Sequence, residues 1–229
     1  MNIAIIAAAG AGTRMASNRP KQFLLLAGTP VIFHTLKPFE ECEQIHEVIV
    51  VLPAEESAGF LSMVAKYGLR KVARVVPGGA TRADSVKRGL TAIRSATAEI
   101  VAVHDGVRPF VTVEEIDKTV EAARLHGAAI LVAPVTDTIK QISEQRVVTT
   151  LDRSGLRRAL TPQCFEYELL RQAYQEAEVS DPSLTDESVL VERLGRSVSI
   201  VEGSSRNIKI TTPEDLLVAE ALLTADYAD

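Results

Sequence analysis

The residues most suggestive of chemistry lie near the N-terminus, where an apolar segment runs into a glycine-containing loop followed by two cations. Ile3–Ala8 is apolar, the loop Ala9-Gly10-Ala11-Gly12-Thr13-Arg14 comes next, and Lys21 stands in Pro20-Lys21-Gln22. Small residues let backbone N–H groups approach a polyphosphate closely, and arginine and lysine can neutralise its charge. This pattern indicates a site for a nucleoside triphosphate.

Other glycine loops share part of this pattern. A dinucleotide-binding loop has the form G-x-G-x-x-G, and Met15 stands where its third glycine belongs. A Walker loop needs Gly-Lys-Ser or Gly-Lys-Thr, which this chain does not contain. A tight turn after a buried strand, with two solvated cations nearby, remains the structural alternative.

Three later segments carry further candidate residues. The glycine pair of Pro77-Gly78-Gly79 could present its backbone to a base edge, with Arg82 and Ser85 adding polar reach, although a turn and helix cap would have the same sequence. Asp105, followed by glycine, could hold Mg²⁺ together with phosphate oxygens, or only stabilise its turn. Lys209 stands between two isoleucines, and because a lone buried ammonium is costly, this placement predicts an anionic partner.

These residues follow apolar segments that alternate with segments of helical period. The strands are predicted at Ile3–Ala8, Val48–Leu52, Val72–Val76, Ile100–His104 and Ala128–Ala133, and the helices at Val31–Glu41, Ala54–Tyr67, Arg82–Ala96 and Val113–His126. Continuous apolar strands are typical of a sheet covered on both faces. We therefore predict an α/β, Rossmann-like fold with a mostly parallel twisted sheet, helices on both faces, and ligands at the carboxyl ends of its strands.

The segment 136–159 departs from this alternation. Two β-prone runs, Thr138–Ile142 and Val147–Leu151, flank a polar turn and predict a protruding β-hairpin arm. Such a hairpin is marginally stable alone, so a second copy of the chain is its expected partner. Beyond it we predict helices at Glu166–Glu178, Asp186–Leu194 and Pro213–Ala225 and strands near Val198–Val201 and Ile208–Ile210, all within one domain spanning 1–229.

Composition excludes several classes of function. The net charge is −5 and there is no tryptophan, which disfavours a nucleic-acid partner. No apolar run approaches the roughly 20 residues of a membrane span. The first strand begins almost at once and only two cysteines, Cys42 and Cys164, are present, so we expect no secretory leader and a reducing, cytoplasmic location.

Taken together, the motifs resemble those of the 2-C-methyl-D-erythritol 4-phosphate cytidylyltransferase family. The resemblance covers nearly the whole chain and rests on an ordered set of motifs: Ala8-Ala9-Gly10-x-Gly12-Thr13-Arg14-Met15, Pro20-Lys21-Gln22, Gly78-Gly79-x-x-Arg82-x-Asp84-Ser85, His104-Asp105-x-x-Arg108-Pro109, Ala133-Pro134-Val135-x-Asp137-Thr138, Asp152-Arg153-x-x-Leu156, Thr161-Pro162-Gln163, Thr185-Asp186-Glu187 and Asn207-Ile208-Lys209. It implies transfer of CMP from CTP to methylerythritol phosphate with release of pyrophosphate, a step of the non-mevalonate isoprenoid pathway.

The resemblance also implies a role for individual residues. The catalytic cations would be Arg14, Lys21 and Lys209, with Mg²⁺ held by Asp105. CTP would contact Ala8, Ala9, Gly10, Ala11, Gly12, Gly79 and Ser85. Methylerythritol phosphate would contact Asp105, Arg108, Thr138, Arg153 and Thr185, of which at least Thr138 and Arg153 would come from the arm of a partner subunit in a homodimer.

Two positions depart from the family pattern, and two other functions remain as alternatives. Ala7 replaces a common proline, which should alter only loop stiffness, and Ala80 replaces a common acidic residue, which puts a carboxylate contact to the base in doubt. A pentitol (ribitol) 5-phosphate cytidylyltransferase shares the glycine loop and the Asp-x-x-Arg-Pro turn. A CTP-binding module without turnover is the alternative from another class.

Overall fold

A seven-stranded sheet forms the centre of the molecule, in a computed structural model that describes residues 1–10 and 19–225. Its strands lie in the order β11-β7-β10-β6-β1-β4-β5. They are β1 (Ile3–Ala7), β4 (Glu47–Leu52), β5 (Val72–Pro77), β6 (Ile100–Asp105), β7 (Ala128–Pro134), β10 (Arg157–Glu166) and β11 (Ser199–Glu202). All pairings are parallel except those of β10, which runs antiparallel to both β6 and β7. The predicted mostly parallel sheet is confirmed.

Helices cover both faces of this sheet, as predicted. One face packs against α1 (Val31–Glu41), α2 (Ala54–Lys66) and α4 (Val113–His126), and the other against α3 (Arg82–Thr91), α5 (Tyr167–Glu176) and α6 (Ser188–Arg193). Successive residues of β1 alternate between the two cores, because side chains of a strand point to opposite faces. Strand β1 is therefore apolar at every position.

The remaining elements lie outside the main sheet. The short strands β2 (Leu25–Leu26) and β3 (Thr29–Pro30) pair with each other and pack near α7 (Pro213–Ala225). The strands β8 (Lys140–Ser143) and β9 (Arg146–Thr150) form a separate hairpin whose residues are all exposed. The hairpin predicted within 136–159 is thus present. In the described part of the chain no helix is long and apolar enough to cross a membrane.

Strand β10 was not predicted from the sequence. Its position shows that the arm ends earlier than the predicted residue 159. Its sequence begins with two arginines and contains Pro162, so it lacks the apolar run of the other strands. Its pairing with β7 shifts register between Ala159 and Gln163, where a proline is tolerated because the regular ladder is interrupted. Residues 157–159 therefore belong to the main sheet, and the arm ends before them.

Two further predictions of secondary structure were wrong. The helix predicted over Arg82–Ala96 ends at Thr91, and the segment that follows it is bonded to the start of the chain, where the Met1 amino group donates to the carbonyl of Thr97. The segment 208–210 is not a strand. Its backbone makes one bond to the loop after β6, from Ile210 N to Val107 O, while Ile210 packs beside β2.

A buried histidine links β6 to β10. His104 is fully buried, its Nδ1 lies 2.9 Å from Thr161 Oγ1 and its Nε2 lies 3.2 Å from the Arg108 carbonyl. The Arg108 carbonyl can only accept, so Nε2 carries the proton and Nδ1 of the neutral ring accepts from the Thr161 hydroxyl, which itself accepts from Asp105 N. Burial lowers the pKa of His104 from 6.5 to about 3, an effect that outweighs the opposing influence of Asp105. These contacts give His104 a structural role, joining β6 to β10 and to the loop after β6.

We predict opposite stability changes for one substitution at two helical glycines. A Cβ at Gly89 in α3 would lie 2.7 Å from Cγ2 of Ile5, whereas a Cβ at Gly59 in α2 meets nothing within 4 Å. Gly59→Ala should stabilise by about 0.5–1 kcal/mol through helix propensity, and Gly89→Ala should destabilise because overpacking costs about 1–3 kcal/mol. Urea unfolding measures both, and equal changes at the two positions would contradict the packing described for α3.

We predict that His104 makes the protein lose stability in mild acid. Since its pKa is lower in the folded than in the unfolded chain, the unfolded state binds the proton first as the pH falls below about 6.5. Between pH 6 and pH 4.5 this one group should remove about 1.4 kcal/mol of unfolding free energy per pH unit. His104→Gln, measured by urea unfolding without nucleotide or metal, should show a slope shallower by that amount. An unchanged slope would mean that His104 is protonated in the folded protein.

Candidate active site

A cleft of about 340 Å³ opens at the carboxyl ends of β1 and β6, beside the loop after β5. It is the place where ligands bind in open α/β sheets. Eight of the predicted site residues line it: Ala8, Ala9, Gly10, Lys21, Gly79, Ser85, Asp105 and Lys209. Its other lining residues are Ala7, Gln22, Ala80, Thr81, Arg82 and Val107. Arg14, Ala11 and Gly12 lie outside the described residues.

Small residues bring the two strand ends together at the floor of this cleft. Gly106 N donates to the carbonyl of Ala7, and a Cβ on Gly106 would lie 2.5 Å from the Cβ of Ala8. The carbonyl of Ala8 accepts a 2.6 Å bond from Nε2 of Gln22, which is buried. This bond ties the loop after β1 to the segment that carries Lys21.

Lys21 is held at the cleft by its neighbours in sequence. It begins a 3-10 turn, Lys21–Phe23, in which the next two residues are buried. Phe23 packs edge-on against Phe60 of α2, with ring centroids 6.2 Å apart, and Gln22 bonds to Ala8 as described. With Gln22 and Phe23 anchored in the interior, the ammonium-bearing residue before them is fixed at the lining of the cleft.

The second glycine loop uses its own polar groups to hold its shape. Gly79 N donates to Oγ of Ser85 at 3.0 Å, and that hydroxyl donates to the Thr81 carbonyl at 2.9 Å. Ala80 N donates to Oδ2 of Asp84, while the Thr81 hydroxyl caps α3. A Cβ on Gly78 would lie 2.1 Å from the Cβ of Ala9, so the two loops touch. Both Gly79 and Ser85 face the cleft, but in this state their bonds are to each other and to the loop.

Asp105 is the centre of the charge distribution. The carboxylate, at the end of β6, receives three cations: Arg82 Nε on Oδ1 at 3.0 Å, and Arg108 Nε at 3.2 Å and Lys209 Nζ at 3.0 Å on Oδ2. The anionic partner predicted for Lys209 is thus Asp105. Three of the roughly four lone-pair positions of the carboxylate are engaged by these donors.

The cluster fixes the charge of its members. Burial alone would raise the pKa of Asp105, but the charges of Arg82, Lys209 and Arg108 outweigh that effect and hold it far below the usual range. Burial alone would lower the pKa of Arg82, and Glu187 and Asp105 outweigh it and raise that pKa. Asp105 and Arg82 are therefore both charged at any pH at which the protein is folded.

The described residues suit a metal ion that is held by one carboxylate and by groups from outside the protein. No group of three or more His, Cys, Asp or Glu side chains that could hold an ion occurs within 1–10 and 19–225. Mg²⁺ commonly uses one or two carboxylates and completes its shell with water and substrate phosphates. Asp105, which lines the cleft, suits that mode of binding, so the site fits a metal that arrives with a polyphosphate.

Four of the residues predicted to contact the second substrate lie away from the lining of this cleft. Arg108 is buried behind Asp105, and its Nη1 donates to the Asn207 carbonyl at 2.8 Å. Thr138 and Arg153 are exposed beside the hairpin, where Arg153 donates to the Thr136 carbonyl. Thr185 is exposed in the segment before α6. One chain alone does not bring Thr138, Arg153 and Thr185 to the cleft lining.

Sequence reasoning gave no role to Glu187 or Gln22, and it gave Arg82 only polar reach toward a base, although all three shape the site. Arg82 and Glu187 form an ion pair at 2.8 Å, and Gln22 positions the first loop. All three stand in motifs that the sequence analysis quoted, next to residues chosen as candidates. The signal was the position of Arg82 at the first turn of α3, directly after a glycine pair. Nothing local in the sequence indicates that Glu187, 105 positions later, is its partner.

Comparison with known proteins identifies the family. Residues 2–225 match the family model described as IspD, 2-C-methyl-D-erythritol 4-phosphate cytidylyltransferase. The chain is similar to the protein of that name from Pelotomaculum thermopropionicum (47% identity, covering 97% of this chain and 94% of that one). It is also similar to the one from Bacillus cytotoxicus (45% identity, 96% of each chain). A crystal structure of 4-diphosphocytidyl-2C-methyl-D-erythritol synthase from Anaerococcus prevotii superposes with a TM-score of 0.85 (34% identity, 97% and 96% covered). The chain belongs to the 2-C-methyl-D-erythritol 4-phosphate cytidylyltransferase family.

Proposed function

We propose that the protein transfers CMP from CTP to 2-C-methyl-D-erythritol 4-phosphate. An oxygen of the substrate phosphate attacks the α-phosphorus of CTP, and the bond from that phosphorus to the bridging oxygen of pyrophosphate breaks. The products are 4-diphosphocytidyl-2-C-methyl-D-erythritol and pyrophosphate, on the route to isoprenoid precursors. The arrangement that carries this proposal is the convergence of cations from separate parts of the chain on one cleft beside two glycine loops.

Charge neutralisation is the main catalytic requirement of this reaction. Both reactants are anions, and the attacking phosphate oxygen needs no base near neutral pH. Lys21 and Lys209 line the cleft in which the triphosphate would lie. We assign them, together with Arg14, to the negative charge that develops around the α-phosphorus. The same cations would also hold the two phosphate groups in position for the attack, which is the other main source of rate enhancement in phosphoryl-type transfer.

The nucleotide would be held mainly by backbone. We assign Ala8, Ala9, Gly10, Ala11 and Gly12 to the triphosphate, and Gly79 with Ser85 to the cytidine. Since Gly79 N is engaged by Ser85 Oγ, base recognition here would use the remaining polar groups of the loop or exchange this bond for one to the ligand. The proximity of Gly78 to Ala9 would couple recognition of the base to that of the phosphates.

Asp105 is the residue that we assign to Mg²⁺. Asp105 would hold the ion, and the ion would supply positive charge that neutralises the phosphates of the nucleotide. Within the protein, Asp105 must accept this ion while also holding Lys209 and Arg108. Its depressed pKa keeps it ionised for that purpose.

We further propose that the protein acts as a homodimer whose hairpin arms complete the neighbouring site. The arm exposes Ile142, Val147 and Val148, which are 68%, 63% and 59% accessible in one chain. A two-stranded hairpin with exposed apolar residues gains stability when another surface covers it. Thr138 and Arg153 would then reach the substrate phosphate from the partner, with Arg108 and Thr185 supplied by the same chain as the cleft.

A reducing, cytoplasmic location is also part of the proposal. Cys42 and Cys164 are both buried and unbridged, and Cys42 Sγ donates to Oδ1 of Asp117 at 2.9 Å. Burial, with the help of Asp117, raises the pKa of Cys42 to about 11. Such thiols suit a compartment in which cysteines stay reduced.

We predict that Lys21→Ala and Lys209→Ala each lower the turnover number by about 10²- to 10³-fold, because each removes a cation that stabilises the transition state. The measurement is Mg²⁺-dependent release of pyrophosphate from CTP and methylerythritol phosphate. Lys66→Ala, at the exposed end of α2, provides the matched control and should behave as wild type. Full activity in Lys21→Ala would contradict the assignment.

The same assay separates the alternative functions. Faster release of pyrophosphate with ribitol phosphate than with methylerythritol phosphate would identify the protein as a pentitol-phosphate cytidylyltransferase. Binding of CTP without release with either acceptor would support a non-catalytic nucleotide-binding module.

We predict that two inactive variants restore activity when their subunits are mixed. Lys21→Ala damages the cleft and Arg153→Ala damages the arm. A heterodimer of the two keeps one intact site, formed by the cleft of one chain and the arm of the other. Random exchange at equal concentrations should therefore restore about a quarter of the wild-type activity, as expected for a two-fold dimer.

The control pair is Lys21→Ala with Lys209→Ala. Both lysines line the same cleft of one chain, so their heterodimers contain no intact site and should stay inactive. Exchange is followed by mass spectrometry of differently labelled subunits. Confirmed heterodimers of Lys21→Ala with Arg153→Ala that remain inactive would refute a shared site.

A further inference from the structure

Glu187 is a buried carboxylate for which the reaction as described has no use. Its side chain is 1% exposed, and it does not line the cleft. We propose that Glu187 is a positioning residue which, through Arg82, fixes the orientation of Asp105 for the metal–nucleotide complex. This inference rests on the proposed function of the cleft.

Arg82 connects the two carboxylates by different edges of its guanidinium group. Its Nη1 lies 2.8 Å and 2.9 Å from the two carboxylate oxygens of Glu187, and its Nε lies 3.0 Å from Oδ1 of Asp105. A planar guanidinium cannot rotate to serve one partner without losing the other. The position of Glu187 therefore sets the plane in which Arg82 meets Asp105.

Glu187 is itself held firmly from the side away from the cleft. Tyr174 of α5 donates its hydroxyl to Oε1 at 2.9 Å, and Glu187 N donates to Oε1 of Gln163 at 3.1 Å. Gln163 lies in β10 and is fully buried, and it also accepts from Ser188 N at the start of α6. The anchor thus comes from the rigid core of the sheet and two helices, rather than from a surface loop.

The charges explain why this anchor would matter when the metal binds. Three cations (Arg82, Arg108 and Lys209) and two carboxylates (Asp105 and Glu187) leave the cluster with a net charge of +1. Without the charge of Glu187 the net charge rises to +2, and Arg82 loses the partner that draws it away from Asp105. The guanidinium is then free to engage both oxygens of Asp105, in competition with the metal.

We test this by measuring CTP affinity calorimetrically, with and without Mg²⁺, in wild type and Glu187→Gln. Mutation of a residue that hydrogen-bonds to a metal ligand typically lowers metal affinity or activity by about 10- to 100-fold. In wild type, Mg²⁺ should lower the dissociation constant of CTP. In Glu187→Gln we expect this lowering to be smaller by about that factor, while the dissociation constant without Mg²⁺ changes little. The Mg²⁺ concentration for half-maximal activity should rise in parallel.

Glu47→Gln is the control, because Glu47 pairs with Arg74 at 3.4 Å in another arginine–glutamate contact, at the amino-terminal end of β4 and away from the cleft. It should leave the effect of Mg²⁺ on CTP binding unchanged. If Glu187→Gln folds poorly, Arg82→Lys and Tyr174→Phe can be tested in the same CTP-binding measurement. The first removes the bridge between carboxylates, and the second removes one bond to Glu187 and should give a smaller effect of the same sign.

Double variants decide whether Glu187 acts through Arg82. Glu187→Gln should add no further loss of Mg²⁺-dependent affinity to Arg82→Gln, because the route from Glu187 to Asp105 is already broken. Additive losses, or a folded Glu187→Gln with wild-type dependence on Mg²⁺, would overturn the inference. A wild-type protein that does not bind CTP at all would instead overturn the proposed function.

Discussion

The structure depends on keeping a carboxylate charged at the end of a fully buried strand. Asp105 ends β6, whose residues are all buried, and an isolated ionised group in such a place would cost several kcal/mol. Three cations compensate for it: Arg108 from the loop directly after β6, and, from distant parts of the chain, Arg82 at the start of α3 and Lys209 in the segment before α7. Each of these elements must therefore reach the same strand end.

That requirement also explains the polar residues of the surrounding core. Arg108 is buried and donates from Nη1 to the Asn207 carbonyl as well as from Nε to Asp105, while Asn207 Nδ2 donates to the Thr161 carbonyl at 2.9 Å. Thr161 in turn accepts from Asp105 N and bonds to His104. Each of these buried groups would cost free energy if its bond to Thr161 were lost, so β10 must place Thr161 beside β6. The antiparallel strand thus completes the site as well as the sheet.

The sequence predicts the parts of this architecture that are encoded locally. The bounds of α1, α4 and α7 follow from apolar periodicity and caps, such as the reciprocal bonds between Thr112 and Glu115 at the start of α4. The glycine loops and Lys21 were found because small residues and cations stand next to strand ends. These signals extend over a few residues, which is the range over which sequence patterns constrain the backbone.

The parts that were missed depend on contacts between distant residues. Strand β10 has little strand signal of its own, and its place is decided by two neighbours that it joins. The segment after α3 is bonded to the start of the chain through Met1 and Thr97, and Ile210 of the segment 208–210 packs beside β2. The pair of Arg82 and Glu187 spans 105 positions, so only the folded chain shows that they meet.

Asp105 has a second consequence, which concerns the cations rather than the carboxylate. Lys209 and Arg108 both approach Oδ2, and without a shared anion these two positive groups would repel each other. Asp105 therefore allows the fold to hold several cations at one cleft before any ligand is present. Lys209 is the more exposed of the two, at 35% of its side chain against 11% for Arg108, and it alone of the pair lines the cleft. A polyphosphate that binds the cleft thus meets cationic side chains that are already held in place. Binding then requires less reorganisation of side chains and water than it would if these cations were freely solvated.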